Sequence, residues 1–286
     1  MLFDLQSPRR RRVIRVTFGA LAAIFAISFV FLGVGTGGGG FSFSDLFGSG
    51  GSSSSANAFD DDIKTAEQQI AVNPADTAAL ARLVQLQYSA ANANTDSNGA
   101  PTSEGEQHLQ EAADAWNKYV KVSKGNPNPS TAVYALNTFD LLARLNFAKA
   151  RGDSSTADAL TDVTAAVDSW RTAAQAQQVL IDAQPNKATS NVYANLAQYL
   201  YLAGETQAAD QAVAKAKQGT KGSDAATIDQ QFSSIKQLGQ QLQTAIEQLT
   251  KQQQQSQGGA PGAGGGNPLG GISGGGGLGG VGTGGL

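Results

Sequence analysis

The chain has 286 residues, of which 35 are glycine and none is cysteine, and its formal net charge is −3. Without cysteine, neither a disulfide framework nor a thiolate metal site can form. The acidic balance also argues against a nucleic acid partner, because basic residues that contact phosphates supply most of that affinity.

The first predicted element is a membrane span. Residues 1–12, with the run Arg9–Arg12, form a basic tail, and residues 13–35 contain an uncharged run from Val16 to Val34. As a helix this run would be about 28 Å long, close to the hydrocarbon core of a bilayer. Because basic residues flank only its N-terminal side, we expect a cytoplasmic N-terminus. The sequence thus predicts a single-pass cell-membrane protein whose C-terminal domain lies outside the cytoplasm.

A cleaved signal peptide is the alternative interpretation of the same segment. Signal peptides also have a basic front and an apolar middle, although their apolar region is usually shorter, and they end at small residues such as Gly33, Gly35 and Gly37. Cleavage there would give a secreted protein. Residues 36–58 follow as a Gly/Ser-rich stretch, which is typical of a flexible linker.

Residues 59–222 are predicted to form a set of helix pairs. Apolar residues recur at helical spacing, and Pro74, Pro129 and Pro185 stand about 55 residues apart. Asn-Pro at the first two positions is typical of a helix start. The pattern predicts helices from about Pro74 to Ala91, from a capping box at Ser103 and Glu106, from Pro129 to Ala150, from Ser155 to Ala183, and a third pair that turns at Gly204.

The third pair has the most specific pattern. Large and small residues alternate at helical spacing on both sides of a glycine, which can adopt the left-handed conformation that ends a helix. The small residues predict where the two backbones approach closely. The residues of this pattern are Tyr193, Leu196, Ala197, Leu200, Gly204, Ala209, Val213 and Ala216.

This pattern resembles that of the tetratricopeptide repeat (TPR) family, which pairs helices over 34 residues. The first two units match less well and are about 20 residues longer. The resemblance implies an all-α fold, a TPR-like solenoid of helical hairpins over residues 59–222. Single-pass TPR proteins of bacterial cell envelopes have the same layout of anchor and repeats.

Residues 223–255 are predicted to form a Gln-rich helix with an apolar stripe. A helix that caps the open end of the repeat stack fits this stripe. A coiled-coil seam is the alternative, which Gly239 disfavours because it falls at a heptad position. Residues 256–286 are glycine-rich, cannot build a core, and are predicted to be disordered.

The sequence shows no catalytic, cofactor or metal site, and we do not predict an enzyme or a small-molecule substrate. His108 is the only histidine and is predicted to be a solvated surface residue. The acidic run Asp60–Asp62 fits a helix N-terminus, where carboxylates interact favourably with the macrodipole.

The TPR resemblance implies a protein or peptide partner bound in a concave groove on the first helices of the pairs. It also implies that Trp116 and Trp170, on the second helices, belong to the core. The sequence therefore predicts a membrane-tethered scaffold outside the cytoplasm, with a structural cell-envelope spacer as the alternative. The residues implied for the groove are Gln85, Tyr88, Phe139, Leu142, Asn191, Gln198, Tyr201 and Leu202.

Overall fold

The computed structural model describes residues 59–218, 223–257 and 268–269, all within one compact unit of the chain. The described residues form α-helices, one short 3-10 turn at Pro185–Lys187 and no β-strand, so the predicted all-α class is confirmed. The predicted membrane span and linker lie outside the described residues. Within the part of the chain that is described, no helix is long and apolar enough to cross a bilayer.

Eight helices follow one another along the described chain. Helix α1 precedes three successive pairs, α2 with α3, α4 with α5, and α6 with α7, and a long helix α8 ends the domain. The helices are α1 (Asp60–Val72), α2 (Thr77–Ala93), α3 (Ser103–Val122), α4 (Pro129–Gly152), α5 (Thr156–Ala183), α6 (Ser190–Leu202), α7 (Thr206–Ala216) and α8 (Ser223–Gln257).

Side-chain caps decide where several helices begin. Asn128 caps α4 through its side-chain oxygen, and Pro129 occupies the first turn, as its missing N–H allows. Ser155 caps α5 in the predicted position. Two predicted caps are wrong by a few residues. Asp76 rather than Asn73 accepts the first free amides of α2, and Thr102 rather than Ser103 accepts from Gly105 at the start of α3.

Both tryptophans lie in the core, as the sequence predicted. Trp170 of α5 is 1 % exposed and its ring lies 5.8 Å from the ring of Phe147 on α4. Trp116 of α3 is 3 % exposed and its ring lies 5.7 Å from that of Tyr119. Both pairs bury large apolar areas, and the pair of Trp170 with Phe147 also joins α5 to α4.

The third pair turns at Gly204, as predicted. Gly204 has φ of +81°, and the amide of Glu205 donates to the carbonyl of Leu200 at 2.8 Å, which closes the end of α6. Ala209 and Ala216 have no exposed surface, in keeping with a close approach of the two helices. The small residues of this pattern therefore lie where the two helices approach closely, as their spacing predicted.

Helix α8 coincides with the predicted Gln-rich helix and packs mainly on α5 and α6. Gly239 explains the approach, because a Cβ atom at this position would collide with the carbonyl oxygen of Tyr201 on α6. The predicted disorder of residues 256–286 mostly concerns residues outside the described ranges. Leu269, however, is fully buried in the main core cluster, which the glycine-rich composition did not predict.

Candidate functional site

The structure buries five of the eight residues that the TPR resemblance assigns to a groove. Gln85 and Tyr88 are half-buried and Asn191 is exposed, so these three remain accessible. The buried ones are Phe139, Leu142, Gln198, Tyr201 and Leu202, none of them more than 5 % exposed.

In α4 the side chains of Phe139 and Leu142 belong to the main core cluster. The half-buried apolar stripe of this helix consists instead of Tyr134, Leu141 and Leu145. The register carried over from the TPR pattern thus assigns the partner-facing role to the inward face of α4. The second unit had departed from that pattern in the sequence, because Asn137 stands where a large apolar residue is expected.

In α6 the assigned face is covered by α8. The ring of Tyr201 lies 6.2 Å from that of Phe232, and its hydroxyl donates to Asp210 of α7. Lys236 of α8 reaches the same carboxylate at 2.9 Å. The hydrogen bond from Tyr201, followed by that from Lys236, holds the pKa of Asp210 below its ordinary value. We call this surface, where Tyr201, Asp210, Phe232, Lys236 and Gly239 meet, the covered face of α6.

On its other side α6 forms the floor of an open groove, which we call the α5–α7 groove. Leu196 and Leu200 lie at its bottom and the facing sides of α5 and α7 form its walls. Its volume is about 260 Å³. The walls consist of Arg171, Ala174, Gln175 and Gln178 from α5, and of Glu205, Ala208, Gln211, Ala212 and Lys215 from the α7 side.

The α5–α7 groove stays open because its walls hold no large apolar side chain that could close it. No Cα atom of α5 lies within 8 Å of one of α7, so the two helices do not pack directly. Three of the wall residues are alanines, and the others are polar. This groove was not predicted from the sequence. The signal was present in the helical spacing of Arg171, Gln175 and Gln178, which gives α5 a polar stripe beside its buried face.

The two ends of the α5–α7 groove differ in charge. At one end Arg171 pairs with Glu205, Nε to Oε1 at 3.2 Å, and also with Asp168. At the other end the ammonium group of Lys215 lies 5.2 Å from the ring centre of Tyr193. No carboxylate whose side chain the structure describes lies within ion-pairing distance of Lys215. The groove therefore has one cation shared by two carboxylates at one end and a positive charge at the other.

A buried polar cluster joins α4 to α6 beneath these surfaces. Asp140 accepts from Nε of Arg144 at 2.9 Å, and Tyr199 lies beside it. Burial raises the pKa of Asp140, while Arg144 opposes that shift. Burial, and then the charge of Asp140, raises the pKa of Tyr199 as well. The cluster thus links side chains of α4 and α6, two helices whose backbones do not pack directly.

His108 is not the solvated surface residue that the sequence predicted. Its Nδ1 lies 2.6 Å from Oε1 of Gln87 on α2, and only 14 % of its side chain is exposed. Gln87 is buried and needs a hydrogen-bond partner, and the imidazole supplies it. Among the described residues, no group of three His, Asp or Glu side chains could hold a metal ion.

Comparisons with known proteins leave the family open: no family model, no curated protein and no solved structure matches this chain. The geometry of the described surface is therefore what indicates a ligand site. The interfaces of protein complexes usually have an apolar core within a polar rim. The α5–α7 groove has this arrangement and the covered face of α6 does not.

Proposed function

We propose that this protein is a membrane-tethered, TPR-like scaffold that binds a protein or peptide partner outside the cytoplasm. The spacing around Gly204 and the helix pairs support the TPR-like part of the proposal. The basic run Arg9–Arg12 before an uncharged apolar stretch supports the tether and its orientation.

The observation that carries the binding role is the α5–α7 groove. It exposes the edges of Leu196 and Leu200 between two helices that the chain leaves apart. Its volume of about 260 Å³ is below the range of roughly 300–1,000 Å³ that is usual for sites of small organic ligands. A segment of a partner chain, which need not be enclosed, suits such an open groove better than a free metabolite.

The accessible residues Gln85 and Tyr88 stay in the proposal as a second contact area on α2, and Asn191 stays as a separate accessible residue on α6. Tyr88 pairs with Tyr134 of α4, with ring centres 5.9 Å apart, so this area has aromatic side chains at its surface. Aromatic residues are frequent among the energetically dominant residues of interfaces. It lacks a described cavity, and we therefore rank it below the α5–α7 groove.

Site-specific photocrosslinking in native membranes tests the binding role. A photoreactive residue replaces Gln211 in the wall of the α5–α7 groove, and in a control protein it replaces Gln110, an exposed glutamine of α3. We expect a defined adduct from position 211 and none from position 110. Equal labelling at both positions, or no adduct at either, would contradict a specific site and favour the structural spacer.

Protease accessibility tests the tether and its orientation. In cells with a permeable outer layer, an added protease should digest the region beyond residue 35, because the proposal places it outside the cytoplasm. Complete protection of that region would overturn the orientation. A native N-terminus near Gly35 or Gly37 would show instead that the apolar segment is a cleaved signal peptide.

A further inference from the structure

We propose that the α5–α7 groove takes an extended segment of four or five residues from a partner protein, with an Asp or Glu side chain at the Lys215 end. This inference rests on the proposed function and specifies the chemical class of the partner. It concerns the faces of α5 and α7, the second helices of their pairs, and not the first helices that the TPR resemblance had indicated.

The length of the α5–α7 groove fits a short extended segment. Glu205 and Lys215 line its two ends and are ten residues apart on the α7 side, which is about 15 Å along a helix. An extended chain rises about 3.3 Å per residue, so four or five residues span this length.

The walls of the α5–α7 groove match the backbone of an extended segment. An extended chain presents unpaired N–H and C=O groups along both edges, and each needs a partner when it leaves water. Gln175 and Gln211 are exposed wall residues, and each amide carries both a donor and an acceptor. Small apolar side chains of the segment can then contact Leu196 and Leu200 on the floor. The walls contain three alanines and are therefore too low to enclose larger side chains.

The charges of the α5–α7 groove indicate which side chain of the bound segment lies at the Lys215 end. At one end Arg171 is shared by Glu205 and Asp168, whereas Lys215 at the other end forms no ion pair with any carboxylate whose side chain the structure describes. Asp182, four residues beyond Gln178 on α5, accepts a hydrogen bond from that glutamine and does not line the groove. A carboxylate of the partner could form an ion pair with Lys215, the charged wall residue that lacks one.

The test uses the full chain in nanodiscs of neutral lipid and a phage library of linear heptapeptides. The peptides are fused to the coat protein at their C-termini, so no terminal carboxylate competes with side-chain carboxylates. We expect the selected peptides to be enriched in Asp or Glu at one position and depleted in prolonged basic runs. An amide-capped synthetic copy of the most enriched peptide is then used to measure Kd.

Charge reversal at the groove separates this proposal from nonspecific attraction. Lys215→Glu should weaken the acidic peptide by about three- to tenfold, as expected for reversing an exposed ion pair. Lys118→Glu makes the same charge change on an exposed lysine of α3 and should alter Kd by less than about twofold. A peptide with Lys in place of its acidic residue should bind the Lys215→Glu protein more tightly than the unaltered one.

A variant with a filled groove distinguishes a wrong partner chemistry from a wrong binding site. Ala208→Trp places a large ring between the walls and should abolish peptide binding. If Ala208→Trp abolishes binding but the peptides show no acidic preference, or if Lys215→Glu behaves like Lys118→Glu, the acidic partner is wrong and the groove stands. If no peptide is enriched, or if binding survives Ala208→Trp, the proposed site is wrong as well.

Discussion

The two sides of α6 differ in what covers them. On the covered face, Phe232 and Lys236 of α8 contact Tyr201 and Asp210, and Gly239 lets the two backbones meet. On the opposite side, α5 and α7 stand apart above a floor of two leucines. One helix thus separates a surface that the chain completes by itself from a surface that it leaves open.

The side chains of the neighbouring helices explain this difference. Helix α8 brings large apolar side chains such as Leu242 and Leu249, which have no exposed surface in the folded chain. The walls of the α5–α7 groove offer alanine and glutamine instead. Burying apolar area contributes about 25 cal/mol per Å², so the side chains of α8 stabilise the fold on the covered face, whereas the groove walls hold no large apolar side chain that could do the same. Substitutions on the two sides should therefore have separable effects.

The largest expected effect is the loss of an aromatic side chain from the covered face. Phe232 is 3 % exposed, and Phe232→Ala should lower the free energy of unfolding by about 3–5 kcal/mol. Urea unfolding of the full chain, followed by far-UV circular dichroism, measures this change. Gln211→Ala on the open side is the matched comparison and should stay within about 0.5 kcal/mol. Comparable losses for the two variants would remove the distinction between the two sides.

The second effect tests the close approach of α8 to α6. Gly239→Ala places a Cβ against the carbonyl oxygen of Tyr201 and should cost about 1–3 kcal/mol through overpacking. Gly152→Ala is the control, because no atom lies within 4 Å of a Cβ at the end of α4. That control should be neutral or slightly stabilising, since alanine favours helices more than glycine does. A harmless Gly239→Ala would show that α8 does not seat on α6 in this way.

The smallest effect concerns the ion pair on the covered face and depends on pH. Because the pKa of Asp210 is lowered in the folded state, its ionised form stabilises the fold above pH about 4. That stabilisation is lost as the pH falls through the lowered value. The carboxylate is half exposed, so the contribution should be below about 1 kcal/mol. Asp210→Asn should therefore lack this acid-dependent loss.

A comparison of the two proteins between pH 5 and pH 2 isolates Asp210, because the other carboxylates titrate in both. Asp140, whose pKa burial raises, is the main example, since its protonation favours the folded state as the pH falls. Identical pH profiles for the two proteins would show that the contacts of ionised Asp210 with Tyr201 and Lys236 contribute nothing.

The helix pairs could be predicted wherever local rules decide the structure. Gly204 and the spaced alanines of α7 predicted a close turn, and the proline at 129 with its asparagine cap predicted the start of α4. The face that each helix turns inward depends on neighbours far away in the sequence. Phe139 illustrates this, because a family register applied to an unusually long unit assigned a core side chain to a partner.

The covered face and the open groove could not be predicted for the same reason. Gly239 disfavoured a coiled coil, but only the seating of α8 on Tyr201 shows why the glycine stands there. Similarly, the polar stripe of α5 fits an ordinary solvated face until α7 is seen to lie across from it at a distance. Periodicity shows that a face is polar, whereas the space in front of that face is a property of the whole fold.

If a partner occupies the α5–α7 groove, a large side chain placed in that groove should displace it. A photoreactive residue at Gln178, in the α5 wall, reports contact in native membranes with and without Ala208→Trp in the opposite wall. We expect the partner adduct to disappear while the stability changes by less than about 1 kcal/mol, or about 2–4 °C in melting temperature. An undiminished adduct in the filled and folded protein would contradict binding in this groove.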